Sequence, residues 1–167
     1  DGPTRMTESA GMCQFLAARY SPGRLDVPAL EPSFGAYLNW LHMSDATLTF
    51  PQTLVLRYTH FEPPERLQPQ VAADYSRWFL ARLRAVDLTL QQNDYLCAGR
   101  FTAADVAVGY ALVLANHLGL STQFPPVVAA YWQRLQNRPA FQSALRVERE
   151  AASNQGVDPT PSPELRF

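Results

Sequence analysis

The stretch Thr7-Glu8-Ser9 combines groups that could bind a carboxylate and an ammonium group at a helix start. Thr7 is a suitable N-cap, and a helix N-terminus offers free amides and the positive end of its dipole to a carboxylate. Ser9 adds a hydroxyl donor, and Glu8 can accept a hydrogen bond from an ammonium group. The same residues are ordinary at a plain helix start, which spacing alone favours.

Asp105 is a candidate buried carboxylate, but a structural role explains it fully. In the sequence Phe101-Thr102-Ala103-Ala104-Asp105-Val106, Thr102 and Asp105 have the spacing of a capping box. Phe101 and Val106 occupy the two positions of a hydrophobic staple. We therefore interpret Thr102 and Asp105 as the structural N-cap of a helix.

Metal binding and covalent chemistry find little support in the sequence. His42, His60 and His117 are scattered, with no Cys, Asp or Glu at ligand spacing, so we expect no metal. Cys13 and Cys97 are interpreted as reduced core cysteines of a cytoplasmic protein. No phosphate-binding loop, nucleophile elbow or Cys-x-x-Cys is found.

The composition is that of a globular protein. The 167 residues are 47% hydrophobic and 17% charged, and the net charge of −1 gives no electrostatic case for nucleic acid. The apolar runs are too short for a membrane span, and no signal peptide is visible. We therefore expect no nucleic-acid or membrane partner.

Helical patterns follow one another along the chain, and no strand pattern of useful length is found. A helix over 102–118, apolar nearly all round, is expected to be central and buried on every side. Pro51 is expected to interrupt the helical pattern that begins at Ser33, and a short helix is expected after Arg138-Pro139. The other predicted helices cover 7–19, 67–92 and the segment opened by Pro125-Pro126. The fold class is therefore all-α.

This order of signals resembles the glutathione S-transferase family over residues 1 to about 146. The motif from Tyr95 to Asp105 is similar to the capped central helix of that family, and residues 128–141 resemble its next two helices. Residues 37–42 resemble the first helix of the family's helical domain, and the segment Thr7-Glu8-Ser9 resembles the end of its N-terminal domain. The resemblance implies a helical C-terminal domain preceded by the last helix of a thioredoxin-like α/β domain. The chain would then divide into four parts. Residues 1–22 would be the end of the thioredoxin-like domain and 23–32 a linker. Residues 33–150 would form the helical domain, and 151–167 a flexible tail.

The resemblance also implies site residues. Glu8 and Ser9 would hold the γ-glutamyl end of glutathione, which acts as co-substrate. The helix that in the family faces the electrophile carries Asp45 near the subunit interface, and a hydrophobic co-substrate pocket would include Tyr37, Trp40, Leu41, Ser44 and, more weakly, Tyr110. An aromatic helix face is more often core, so that alternative stays open. The thiol-activating Tyr, Ser or Cys has no counterpart here, so we expect no catalytic residue in this chain.

Two functions from different classes follow from the resemblance. The first is an enzyme that conjugates or reduces an apolar electrophile with glutathione when the N-terminal domain is present. The second is a non-catalytic helical module for protein–protein interaction. In both, the helices over 33–62 and 67–92 would form a homodimer surface.

Overall fold

The central helix α5, Ala103–His117, packs against several of the other helices in the computed structural model, which describes residues 1–158. Thr102 precedes it as N-cap in extended backbone, and the capping box is present. Its Ala, Val108 and Leu112 side chains are buried, but Val106 and Tyr110 are 45% and 56% exposed. The expectation that α5 is buried on every side is therefore wrong, because the neighbouring helices leave one stripe uncovered.

The remaining elements are all helical. Residues 1–158 contain no strand, which confirms the all-α class for the described part of the chain. The α-helices besides α5 are α1 Ser9–Tyr20, α2 Phe34–Met43, α3 Phe50–Leu56, α4 Pro69–Leu90, α6 Pro126–Gln136 and α7 Pro139–Asn154. No helix in this range is both long and apolar enough to cross a membrane.

The helices α2 and α3 belong to one continuous helical run that ends at Phe61. A π-helical segment, Ser44–Thr49, joins them, and a second one, Arg57–Phe61, follows α3. The amide of Phe50 bonds to the carbonyl of Asp45, five residues back. The expected interruption at Pro51 is therefore wrong: Pro51 lies in the first turn of α3, where its missing amide hydrogen is tolerated, directly after the wider π turn.

Two helix ends also differ from the sequence prediction. The N-cap of α1 is Glu8 in extended backbone, one residue after the predicted Thr7. The helix α7 is 16 residues long and continues past 150, the predicted end of the helical domain. Part of the predicted tail 151–167 is thus helical, and residues 159–167 lie outside the described residues.

The hydrophobic core lies between α5 and the helices α2, α3, α4 and α6. Phe79, Leu83 and Val86 of α4 are fully buried, as are Val128 and Tyr131 of α6. The segment between α1 and α2 adds Val27, which is 2% exposed. This core fixes the helical framework on which α1 and the stripe of α5 are presented.

Candidate functional site

The start of α1 is open to a ligand. Ser9 is the first helical residue, and Glu8 makes no side-chain capping bond. The first helical hydrogen bond runs from the amide of Met12 to the carbonyl of Glu8, at 2.9 Å. The amides of the first turn therefore face the end of the helix without a capping side chain, which is the arrangement that binds carboxylates in proteins.

Asp45 lies beside this helix start, although it is far away in sequence. The hydroxyl of Ser9 donates to Oδ1 of Asp45 at 3.3 Å, from α1 to the π-helical segment Ser44–Thr49. Together with Glu8, this brings a second carboxylate to the start of α1. No local pattern indicates this contact, since 36 positions separate the two residues.

The four predicted pocket residues on the first helix of the helical domain are in the core. Tyr37, Trp40, Leu41 and Ser44 are 1% to 6% exposed. The hydroxyl of Ser44 donates to the carbonyl of Leu41 at 2.6 Å. Burial, and secondarily the charge of Asp26, raises the pKa of Tyr37 to about 12. These four side chains therefore lie in the core, which is the alternative that the sequence left open.

Tyr110 has a different environment from those four residues. With Val106 and Val113 it forms the uncovered stripe of α5, which faces Phe141 and Ala144 of α7. Between the two helices lies a cavity of about 380 Å³, here called the α5–α7 groove, whose lining is almost entirely apolar. This volume falls within the range of small-molecule pockets.

One guanidinium borders the α5–α7 groove. The charged group of Arg138 lies 3.5 Å from the ring centroid of Phe101, and both residues line the groove. This is cation–π geometry, which holds the guanidinium plane against the ring. The groove therefore has apolar walls and one positive group at its edge.

Asp105 also borders the groove but is fully engaged as a structural group. Its Oδ2 accepts from the amide of Thr102 at 2.8 Å, and its Oδ1 accepts from the amide of Leu96 at 3.1 Å. The hydroxyl of Tyr131 donates to the same Oδ1 at 2.8 Å. Burial raises the pKa of Asp105, while these hydrogen bonds act in the opposite direction. Both carboxylate oxygens are occupied by these hydrogen bonds, so Asp105 is not available to bind a substrate.

The two thiols are poorly suited to nucleophilic attack. Burial raises the pKa of both Cys13 and Cys97, and the charge of Asp45 raises that of Cys13 further. The reactive form of a cysteine is the thiolate, so both groups are held in the unreactive state. Within residues 1–158, no group of three His, Cys, Asp or Glu side chains is arranged to hold a metal ion.

The sequence is similar to that of a curated protein. No protein-family model matches the chain. The glutathione S-transferase GstA of Escherichia coli O157:H7 is 28% identical over 148 residues, which cover 89% of this chain and 70% of GstA. The chain is thus similar in sequence to a glutathione S-transferase over most of its length. The family resemblance of the sequence is thereby confirmed.

Solved structures of glutathione transferases have the same fold. Ure2p5 from Phanerochaete chrysosporium, cocrystallized with 1-(S-glutathionyl)-2,4-dinitrobenzene, matches with a TM-score of 0.76 at 20% identity, over 89% of this chain and 70% of that chain. A theta class glutathione S-transferase from Xanthomonas axonopodis pv. citri, with glutathione bound, matches with a TM-score of 0.71 at 23% identity, over 86% and 68% of the two chains.

Proposed function

We propose that the whole protein conjugates or reduces an apolar electrophile with glutathione. The observation that carries this proposal is the similarity to GstA along 89% of the chain. In this chain, Glu8 and Ser9 form the uncapped start of α1. In conjugation, the glutathione sulfur forms a bond to the electrophilic carbon, and the displaced group leaves with its electron pair. The attacking species is the thiolate.

In this proposal, Glu8 and Ser9 bind the γ-glutamyl end of glutathione. Its carboxylate would accept hydrogen bonds from the first amides of α1 and from Ser9, which would turn its hydroxyl from Asp45 to the ligand. The ammonium group of the ligand would lie near the carboxylate of Glu8. Residues 1–22 then form the end of a thioredoxin-like domain, which supplies the rest of the glutathione site.

The apolar co-substrate is proposed to bind in the α5–α7 groove. Tyr110 is the one predicted pocket residue with an exposed side chain, and it lines this groove. The residue that activates the glutathione thiol is proposed to lie in the thioredoxin-like domain. We therefore expect residues 1–167 on their own to be inactive. The free thiols of Cys13 and Cys97 fit a cytoplasmic protein.

A non-catalytic module is the second candidate. The observation in its favour is the set of exposed aromatic residues on α3 and α4, which include Phe50 and Trp78. Such residues are enriched at protein–protein interfaces. In this alternative, the helices build a homodimer or a surface for another protein, and glutathione is not bound.

The experiment that separates the two candidates is glutathione binding by the full-length natural protein and its Ser9→Ala variant, measured by calorimetry. We expect the wild type to bind and the variant to bind about tenfold more weakly, since a hydrogen bond to a charged group is lost. Ser153→Ala, on the exposed end of α7, is the matched control. Equal affinity in both proteins would remove Ser9 from the site, and no binding by the wild type would favour the module.

A further inference from the structure

The segment between α1 and α2 is fixed to the helical core although it contains no α-helix. The carbonyl of Leu25 accepts a hydrogen bond from the amide of Ala103, the first residue of α5, at 2.7 Å. Val27, two positions after Leu25, is almost completely buried. The connection that carries α1 is therefore attached at the beginning of the central helix.

The side chain of Arg100 holds this segment at three points. Its Nη1 and Nη2 lie 2.8 Å and 2.9 Å from the two carboxylate oxygens of Glu31. Nη2 also donates to the carbonyl of Asp26 at 3.1 Å. The planar guanidinium matches a carboxylate at two points, which fixes direction as well as distance. Arg100 thus holds both Asp26 and Glu31 against the loop before α5.

The helix α1 packs on α5 and α2, mainly through small side chains. Only two of its residues, Ala10 and Ala17, are buried, and both are small. The hydrogen bond from Ser9 to Asp45 is long, at 3.3 Å, and exposed. Small side chains bury little apolar area, so packing alone stabilises α1 weakly. The position of α1 therefore depends on the segment that follows it as well as on this packing.

We propose that Arg100 is a positioning residue for the glutathione site. By holding Asp26 and Glu31, it fixes α1 so that Glu8 and Ser9 stay in place beside Asp45 and the helical core. Loss of the Arg100–Glu31 pair lets α1 move as a unit, and the start of α1 is then correctly placed for only part of the time. This inference rests on the proposed binding of glutathione by Glu8 and Ser9.

The test uses the full-length protein with Arg100→Gln and Glu31→Gln, which break the pair from either side. Arg100→Lys keeps the charge but loses the two-point contact. Arg146→Gln is the matched control, since it removes an exposed arginine whose guanidinium lies 3.7 Å from Glu150 within α7. Two quantities are measured: amide hydrogen exchange along the chain, and the Kd for glutathione.

We expect both Gln variants to lose protection in the amides of α1 by about three- to tenfold, with the amides of α4 and α6 unchanged, because opening is local. The Kd for glutathione should rise by a similar factor, since only the correctly placed fraction binds. Arg100→Lys should restore part of both values, and Arg146→Gln should match the wild type.

The two measurements distinguish the possible failures. Unchanged protection of α1 in both Gln variants would overturn the positioning role, whatever happens to glutathione binding. Lower protection with an unchanged Kd would show that α1 moves without consequence for the site, which also overturns the proposal. If the wild type does not bind glutathione, the proposed function fails, and with it the role of Arg100 in that site.

Discussion

Two buried tyrosines of the core differ in one respect that decides their contribution to stability. The hydroxyl of Tyr131 donates to Asp105 at 2.8 Å, whereas the hydroxyl of Tyr37 is buried without a partner in the described structure. A buried polar group that makes no hydrogen bond costs stability, and one that makes a bond to a charged group contributes to it.

The first prediction compares the two Tyr→Phe variants by urea unfolding at neutral pH. Tyr37→Phe should leave the free energy of unfolding unchanged or raise it by up to about 1 kcal/mol, because only an unpaired hydroxyl is removed. Tyr131→Phe should lower it by about 1–3 kcal/mol, because Asp105 loses a donor. Equal losses in both variants would show that the hydroxyl of Tyr37 has a partner in solution.

The second prediction concerns alkaline pH and follows from the pKa of Tyr37. Burial raises this pKa from 10.0 to about 12, so between these values the folded state keeps a proton that the unfolded state releases. Stability is therefore lost as the pH rises through this window, by up to about 1.4 kcal/mol per pH unit. Tyr37→Phe should remove this contribution, seen as a shallower fall in unfolding free energy between pH 10 and 11.5. Parallel curves for the two proteins would contradict it.

At the scale of elements, the start of α5 is held by Asp105, which supports the loop before the helix as well as the helix itself. The third prediction is that Asp105→Ala lowers the free energy of unfolding by about 2–4 kcal/mol, because buried amides and the hydroxyl of Tyr131 lose their acceptor. Asp74→Ala, at an exposed position of α4, is the control and should cost little. Loss of activity with unchanged thermal unfolding would instead assign Asp105 to the chemistry.

Structural features that are formed by residues close together in the sequence could be predicted from it. The capping box of α5 lies within four positions, so its residues identify it without knowledge of the fold. The all-α class follows from patterns of the same short range. The bond between Tyr131 and Asp105 spans 26 positions, and nothing in the local sequence indicates it.

The helical run through Pro51 shows why local patterns also mislead. Proline normally ends a helix, but here a π turn precedes it, and the side chain of Gln52 bonds to the carbonyls of Leu48 and Ala111. The carbonyl of Ala111, which accepts this bond, belongs to α5, so a tertiary contact supports the helical run. The exposed stripe of α5 was missed for a related reason, since an apolar residue does not reveal whether a neighbour covers it.

The candidate site has the same limits. Glu8 and Ser9 at the start of α1 could be selected by their types and position, and their binding role stays a prediction. The contacts Ser9–Asp45 and Arg100–Glu31 join distant parts of the chain, so no local pattern indicates either of them. The residues that surround a site are thus harder to predict than those at its centre.

At the scale of the whole molecule, an exposed aromatic surface on α3 and α4 suggests how two copies associate. Trp78 is 50% exposed, is stacked on Tyr75 with ring centroids 5.7 Å apart, and has the guanidinium of Arg82 over its ring. Phe50 is 56% exposed on the neighbouring helix. Aromatic residues held rigidly in this way are typical anchors of protein interfaces, and we propose that this surface forms a homodimer.

The fourth prediction tests this surface by sedimentation velocity on the full-length protein. The wild type should be a dimer, and Trp78→Glu should weaken dimerisation by at least about thirtyfold, because an aromatic anchor is replaced by a charge that would be buried. Val147→Glu places the same charge on an equally exposed residue of α7 and should leave the dimer intact. A dimer that persists in Trp78→Glu would move the interface to another face, whereas a monomeric wild type would remove dimerisation from the proposed function.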